Sequence, residues 1–322
     1  MQKAGLRSIG WIVSALVLAA VVWWALRQPA PTLPSSRSDL TALALAIVFY
    51  AGCTILRAER WRLLLNDVEA RPSRGDAYRL VLVGYMGNNV LPARAGDLMR
   101  VVLMAPRADT TKRYVVGTLL AERLLDIVVL VTLFVVLATT VAGGAGLPGA
   151  GTLEIIGGLL ALAAIGAVVG YVVLHRRGLK ERAQAFLAPM IISTRNLRGR
   201  HGLLMLLLTI LIWLGEAAVW GSCAAAVNLD ASPLQALYLV ALASMFALIP
   251  SGPGYAGTQD AAAVIGVKAI GGTSAQAVSY LILVRCVLLV PITVAGLIAL
   301  VARYGGVKGL RLATQRTAES PA

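Results

Sequence analysis

The chain has 322 residues, of which 58% are hydrophobic and only 14% charged. A soluble domain of this size cannot bury so much apolar surface, and several runs approach or exceed the ~20 apolar residues that span a bilayer, which excludes an ordinary soluble enzyme. The formal charge of +14 comes from 29 Lys and Arg against 15 Asp and Glu. The basic residues sit between the apolar runs, the pattern of the positive-inside rule and not of a nucleic-acid surface.

Long Leu, Val and Ala runs, in place of ~10-residue alternating strands, point to helices. The first apolar stretch, 9–26, follows Lys3 and Arg7. A signal peptide has the same charge order, but this core is long and no small-x-small cleavage site follows, so a retained first helix is expected. A second span covers 40–56. The stretch 57–79, with Arg57, Arg60, Arg62, Arg71, Arg74 and Arg79, reads as a basic loop. Next comes an interrupted region, 77–105: a segment at 78–91, a break carrying Pro92 and Gly96, and a segment at 98–104. Full spans follow at 114–142 and 152–174, separated by the uncharged "GGAGLPGAG". A basic loop at 175–201 leads to a span at 203–228 and to "NLDASP", whose one charge is Asp230. The second interrupted region joins 234–249 to 261–267 through "PSGPGYAG", with Pro250, Pro253, Gly254 and Gly257. A last span covers 275–302, and 303–322 is a basic tail.

The Lys and Arg asymmetry places both termini in the cytoplasm. The first interrupted region then dips in from the cytoplasmic face and the second from the opposite face. The expected fold is an all-α polytopic membrane protein with six full spans and two re-entrant broken-helix hairpins. Its halves, 1–142 and 152–302, form an inverted-topology repeat within a single transmembrane domain. "LPARAG" and "IPSGPG" occupy matching places in the two halves.

Charges within spans are costly and mark candidate functional positions. Glu122, Arg123 and Asp126 fall in one span. Arg123 can pair with Asp126 three residues on, along one helix face. Arg285 lies about 15 Å into its span at ~1.5 Å per residue, with Glu216 and Asp260 as alternative partners. Two deep arginines, each beside a broken helix, suit an anion. Arg123 and Arg285 are expected to face each other within about 10–15 Å, neither fully matched by an acid, and to hold one phosphate. Arg94, Asp97 and Arg100 are expected to line the cytoplasmic mouth of the same pathway, with Asn88 and Asn89 just before it offering uncharged hydrogen bonding. Cys53, Cys223 and Cys286 lack metal spacing, and His175 and His201 have no third ligand near, so no cofactor or metal is expected.

"LRAERWRLLL", "NNVLPARAGDLMR", "LLAERLLDIVVL" and "IPSGPGYAGTQDAA" followed by "LILVRCVLLVPITVAGL" resemble the lysylphosphatidylglycerol synthase transmembrane family, flippase-like proteins of bacteria and archaea. The resemblance covers about residues 40–302. Asn89, Pro92, Arg94, Gly96, Asp97, Arg100, Glu122, Arg123, Asp126, Pro253, Gly254, Gly257 and Arg285 fall on its pattern. Asp97 and Asp260 stand where Glu is expected in many members. Bifunctional members carry a soluble aminoacyl-transferring domain after the membrane part. Here the chain ends shortly after Arg303, so the resemblance implies a stand-alone membrane module and no enzyme activity.

It further implies translocation of a phosphate-bearing or otherwise polar-headed lipid across the bacterial cytoplasmic membrane, the family's substrates including aminoacylated phosphatidylglycerol and hopanoid lipids. A small-solute secondary transporter and a membrane-embedded lipid-modifying transferase are the alternatives. The expected partners are the lipid substrate and anionic lipid at the cytoplasmic surface, with room for a lipid-synthesising enzyme and for an oligomer.

Overall fold

A computed structural model of the chain describes residues 34–66, 70–91, 94–145, 199–247 and 253–306, with a few isolated positions beside them. The expected spans at 9–26 and 152–174, most of the loop 175–201, most of the tail, Pro92 and Pro250 lie outside the described residues.

Eight helices and a short 3₁₀ turn make up the described structure, and no strand occurs among the described residues. They are α1 (Arg37–Asn66), α2 (Arg74–Val90), α3 (Ala95–Met104) and α4 (Lys112–Ala145), then α5 (Gly199–Ala225), α6 (Pro233–Phe246), the turn Pro253–Tyr255, α7 (Thr258–Ala269) and α8 (Ser274–Tyr304). Local chemistry sets several of the ends. Ser73 caps α2 by accepting from the Asp76 N–H at 3.0 Å. Ser232 with Gln235 and Thr273 with Gln276 form capping boxes at the starts of α6 and α8. Gly305, at φ 69°, ends α8 in the left-handed conformation that glycine adopts without strain.

Both interrupted regions are broken helices, as the sequence predicts. The first is α2 and α3, the second α6 and α7, each pair packed arm against arm. The arms of the first pair come unusually close. A Cβ on Gly96 would run into the Gly84 carbonyl and the Asn88 N–H, so glycine is required at this crossing. Across the molecule, α1 packs on α5, α2 on α8, and α6 on α4.

One expectation needs correction. The second span does not end at residue 56, because α1 runs on to Asn66. Arg57, Arg60 and Arg62 therefore lie within a helix and not in a basic loop. Arg60 is only 2% exposed. It can be buried because two carboxylates on α4, Asp126 and Glu122, neutralise it, a pairing that charge counting along the chain does not see.

Polarity is distributed inside out. Leu203, Leu207 and Leu211 on α5 and Val294, Leu297, Ile298 and Val301 on α8 are exposed, while Arg60, Arg100, Glu122, Glu216 and Asp260 are buried. Helices α1, α5 and α8 are long and apolar enough to cross a membrane. Apolar residues outward and charges inward is the arrangement lipid surroundings favour. Two main apolar clusters flank the charged interior, one built on α5–α8 with parts of α1 and α4, the other on α1–α3 with the ends of α4 and α8.

Candidate functional site

The site begins with the two helix breaks. Arg94, the residue before α3, is left-handed at φ 54°, and no side chain caps that helix. In the second break Gly254, Tyr255 and Gly257 all have positive φ, at 62°, 59° and 93°. Left-handed backbone at a residue other than glycine, as at Arg94 and Tyr255, is uncommon and held by its surroundings. The two breaks meet. The Arg94 guanidinium donates to the Ala247 carbonyl at 3.2 Å and lies 4.9 Å from the centre of the Tyr255 ring.

Beside this junction is a cavity of about 170 Å³. Its polar lining includes Arg57, Arg94, Arg123, Asp126, Glu216, Asn88 and Asn89, and its aromatic lining Tyr50, Tyr85, Trp213, Trp220 and Tyr255. A smaller chamber of about 80 Å³ adjoins it, sharing Tyr50, Asn89, Trp220 and Tyr255 and carrying Asp260 and Arg285.

Ion pairs knit the helices around these spaces. Arg57 holds Glu216 at 2.5 Å, joining α1 to α5. Arg60 grips Asp126 with two nitrogens, at 2.8 and 3.2 Å, and also reaches Thr209 at 2.8 Å. Arg100 donates to Glu122 at 2.9 Å and stacks 4.0 Å from the Trp61 ring centre. Arg123 reaches Asp97 at 3.3 Å, and Asp97 also accepts from Asn88 at 3.2 Å. Arg285 is held by Asp260 and by the carbonyls of Gly254 and Tyr255.

The last two pairs occupy equivalent places. Arg123 lies eleven residues after Lys112, the start of α4, and Arg285 eleven after Ser274, the start of α8. Asp97 and Asp260 are each the third residue of the second arm of a broken pair. Yet the environments differ. The Arg123 side chain is 34% exposed and makes one acidic contact, whereas that of Arg285 is 20% exposed and also holds two carbonyls.

These contacts correct the expected pairings. Arg123 does not pair with Asp126, which is taken by Arg60. Glu216 pairs with Arg57, leaving Asp260 for Arg285. Arg123 and Arg285 each pair with an acid and line different, adjoining chambers, in place of the single phosphate site expected between them. The reason is positional: the third residue of each second arm brings a carboxylate to its own arginine.

Of the expected site residues, Asn89, Arg94, Arg123, Asp126, Glu216, Asp260 and Arg285 line one chamber or both, with Gly254 beside them. Asp97, Arg100 and Glu122 stand behind the lining, and Arg100 and Glu122 are buried. Pro253 and Gly257 shape the second break, and Gly96 packs the first.

Arg57, Tyr50, Tyr85, Trp213 and Tyr255 are lining residues that the sequence reading did not single out. For Arg57 a signal existed. Cys53, Arg57, Arg60 and Leu64 recur at helical spacing, which a loop would not require.

Arg57, Arg60, Arg94, Arg100, Arg123 and Arg285 stand against Asp97, Glu122, Asp126, Glu216 and Asp260. The arginine left over is Arg94. Among the described residues no carboxylate forms an ion pair with it, and its contacts are a carbonyl and a ring.

Comparison with known proteins adds an independent line. A family model described as the lysylphosphatidylglycerol synthase TM region matches residues 11–296. A UPF0104 membrane protein of Pyrococcus horikoshii is 28% identical over 130 residues, 39% of this chain and 38% of that protein. The glycosyltransferase AglD of Haloferax volcanii is 29% identical over 110 residues, 34% of this chain and 18% of that protein. The match thus spans well under half the length of either relative. No solved structure matches the chain significantly.

Proposed function

The chain belongs to the lysylphosphatidylglycerol synthase transmembrane family and is a multi-pass membrane protein, and on that premise we propose that it moves a polar-headed lipid across the membrane without chemically altering it. The observation that carries the proposal is Arg94, a cation in the main cavity with no carboxylate partner among the described residues. Arg94 is half-buried, and a cation partly withdrawn from water gains from an anionic partner, which a phosphate-bearing headgroup supplies through charge-assisted hydrogen bonds. Arg123 stands in the same lining as a second donor. Asp126 and Glu216 give the cavity negative groups as well, so the site suits a headgroup with more than one polar part.

The packing supports a two-fold repeat of the halves, and the Lys and Arg asymmetry along the chain is what makes the proposed repeat an inverted one. Exchanging α1 with α5, α2 with α6, α3 with α7 and α4 with α8 turns the α2–α8 contact into the α6–α4 contact and maps α1–α5 onto itself. The equivalent Asp97–Arg123 and Asp260–Arg285 pairs obey the same exchange. Two broken pairs meeting at the centre of such a repeat make a site reachable in turn from either face. The six spans, the two re-entrant hairpins, cytoplasmic termini and residence in a bacterial cytoplasmic membrane complete the proposal.

Reconstitution tests it. Vesicles containing the protein and a tail-labelled fluorescent phosphatidylglycerol are exposed to an impermeant quencher. The protein is expected to make the inner-leaflet fraction quenchable, and Arg94→Gln to slow this about tenfold, as loss of one charge-assisted bond implies. Quenching no faster than in protein-free vesicles, across phosphate-bearing and uncharged lipids, would end the proposal.

A further inference from the structure

We infer that Arg94 is a clasp released by an anion: a phosphate oxygen entering the cavity takes the guanidinium from Ala247 and Tyr255 and so uncouples the two helix breaks. The inference rests on the translocation reading but adds a step that reading does not contain.

The clasp is seen in the contacts. Arg94 belongs to the first break, while Ala247 ends α6 and Tyr255 lies in the turn before α7, both in the second. One side chain therefore links the two, through a 3.2 Å hydrogen bond and a ring contact, beside the packing of the turn Pro253–Tyr255 on α2. Its partners are neutral. An anionic oxygen adds a charge–charge attraction and a bidentate match that a neutral carbonyl and a ring lack, so an anion can displace them. The other arginines around the chambers are held by carboxylates, and a phosphate gains much less by competing for those. Arg285 also binds Gly254 and Tyr255 through their carbonyls. The second break is thus anchored to α8, and releasing Arg94 frees the first break without unravelling the second.

A separate observation points to an oxygen-bearing ligand. Trp213 lines the same cavity and is 7% exposed, and its buried Nε1 donor has no hydrogen-bond partner among the described residues. A buried donor left without an acceptor is costly, so a rearrangement of the lining that opened this donor to a ligand oxygen would be favoured.

The test uses Ser244→Cys, a half-buried lining position on α6, in a chain whose Cys53, Cys223 and Cys286 are alanine. Its maleimide labelling rate is measured in mixed micelles containing phosphatidylglycerol, diacylglycerol, or neither with inorganic phosphate added. Phosphatidylglycerol is expected to raise the rate at least threefold and diacylglycerol to leave it unchanged. An equal rise with inorganic phosphate supports the clasp with a free anion as its trigger. Adding Arg94→Gln is expected to give the raised rate without any ligand and no further response. Should that variant not fold, Tyr255→Leu takes its place, with a raised resting rate and a retained phosphatidylglycerol response. A low resting rate in both variants, or a rise with diacylglycerol alone, overturns the clasp. Lipid transport in vesicles is measured on the same proteins. Transport with an unresponsive Ser244→Cys defeats the clasp alone, and a responsive clasp without transport defeats the translocation reading alone.

Discussion

Arg60 shows what a buried charge demands inside an apolar protein. It is 2% exposed, gripped by Asp126 through two nitrogens, supported by Thr209, and 3.9 Å from Glu122. Taking an ion out of water costs several kcal/mol, recovered only when partners are close and well oriented. Arg60→Met is therefore expected to destabilise the protein by about 3–5 kcal/mol, because Asp126 is left buried without its main partner. Adding Asp126→Asn should recover part of the loss. Thermal unfolding in detergent would check both, and an Arg60→Met protein as stable as the parent would show that the pair is not a structural tie. The identity of such residues was legible as charges in an apolar chain. Their partners were not, since Arg60 and Asp126 are 66 residues apart and sequence spacing ranks only neighbours on one helix.

At the scale of elements, the broken pairs were the most legible feature. Proline and glycine interrupting apolar segments too short to span a bilayer gave both breaks their places, and α2, α3, α6 and α7 follow. What spacing did not reveal is how tightly the arms approach. Gly96 faces the Gly84 carbonyl with no room for a methyl group. Gly96→Ala is expected to push α3 off α2 at a cost of about 3 kcal/mol or more, at the upper end of overpacking effects. It should lower both the monodisperse yield and the unfolding temperature. Gly52, whose added Cβ would meet nothing within 4 Å, is the control: Gly52→Ala should be neutral or slightly stabilising on helix propensity. Similar behaviour of the two variants would mean that the α2–α3 crossing does not constrain the fold.

For the whole molecule, the exchange of contacts relates the two halves, and the Lys and Arg asymmetry predicts opposite orientation of their equivalent loops. Ser73 begins the first broken pair and Ser232 the second. In a cysteine-free background, cysteines at Ser232 and Gly146 should label from the outer face with an impermeant reagent. Cysteines at Ser73 and Gly199 should label only after the membrane is opened. Outer labelling at Ser73 would reverse the charge-based orientation, and labelling of Ser73 and Ser232 from the same face would abolish the inverted repeat.

The sequence by itself determined the solvent this protein is built for. Apolar runs of spanning length need a lipid environment, and the Pro and Gly interruptions within them need protein around the freed backbone groups. It also marked most of the charged residues that line the chambers, because a charge within an apolar helix is too costly to be incidental. Only the tertiary structure decided which of those charges cancel. Helices distant in sequence bring Glu216 to Arg57 and Asp126 to Arg60, and successive helices folded back on each other bring Asp97 to Arg123 and Asp260 to Arg285. Arg94 alone among these cavity arginines is left facing a carbonyl and a ring. Electrostatic neutralisation acts over a few ångströms in space, and distance along the chain carries almost no information about it.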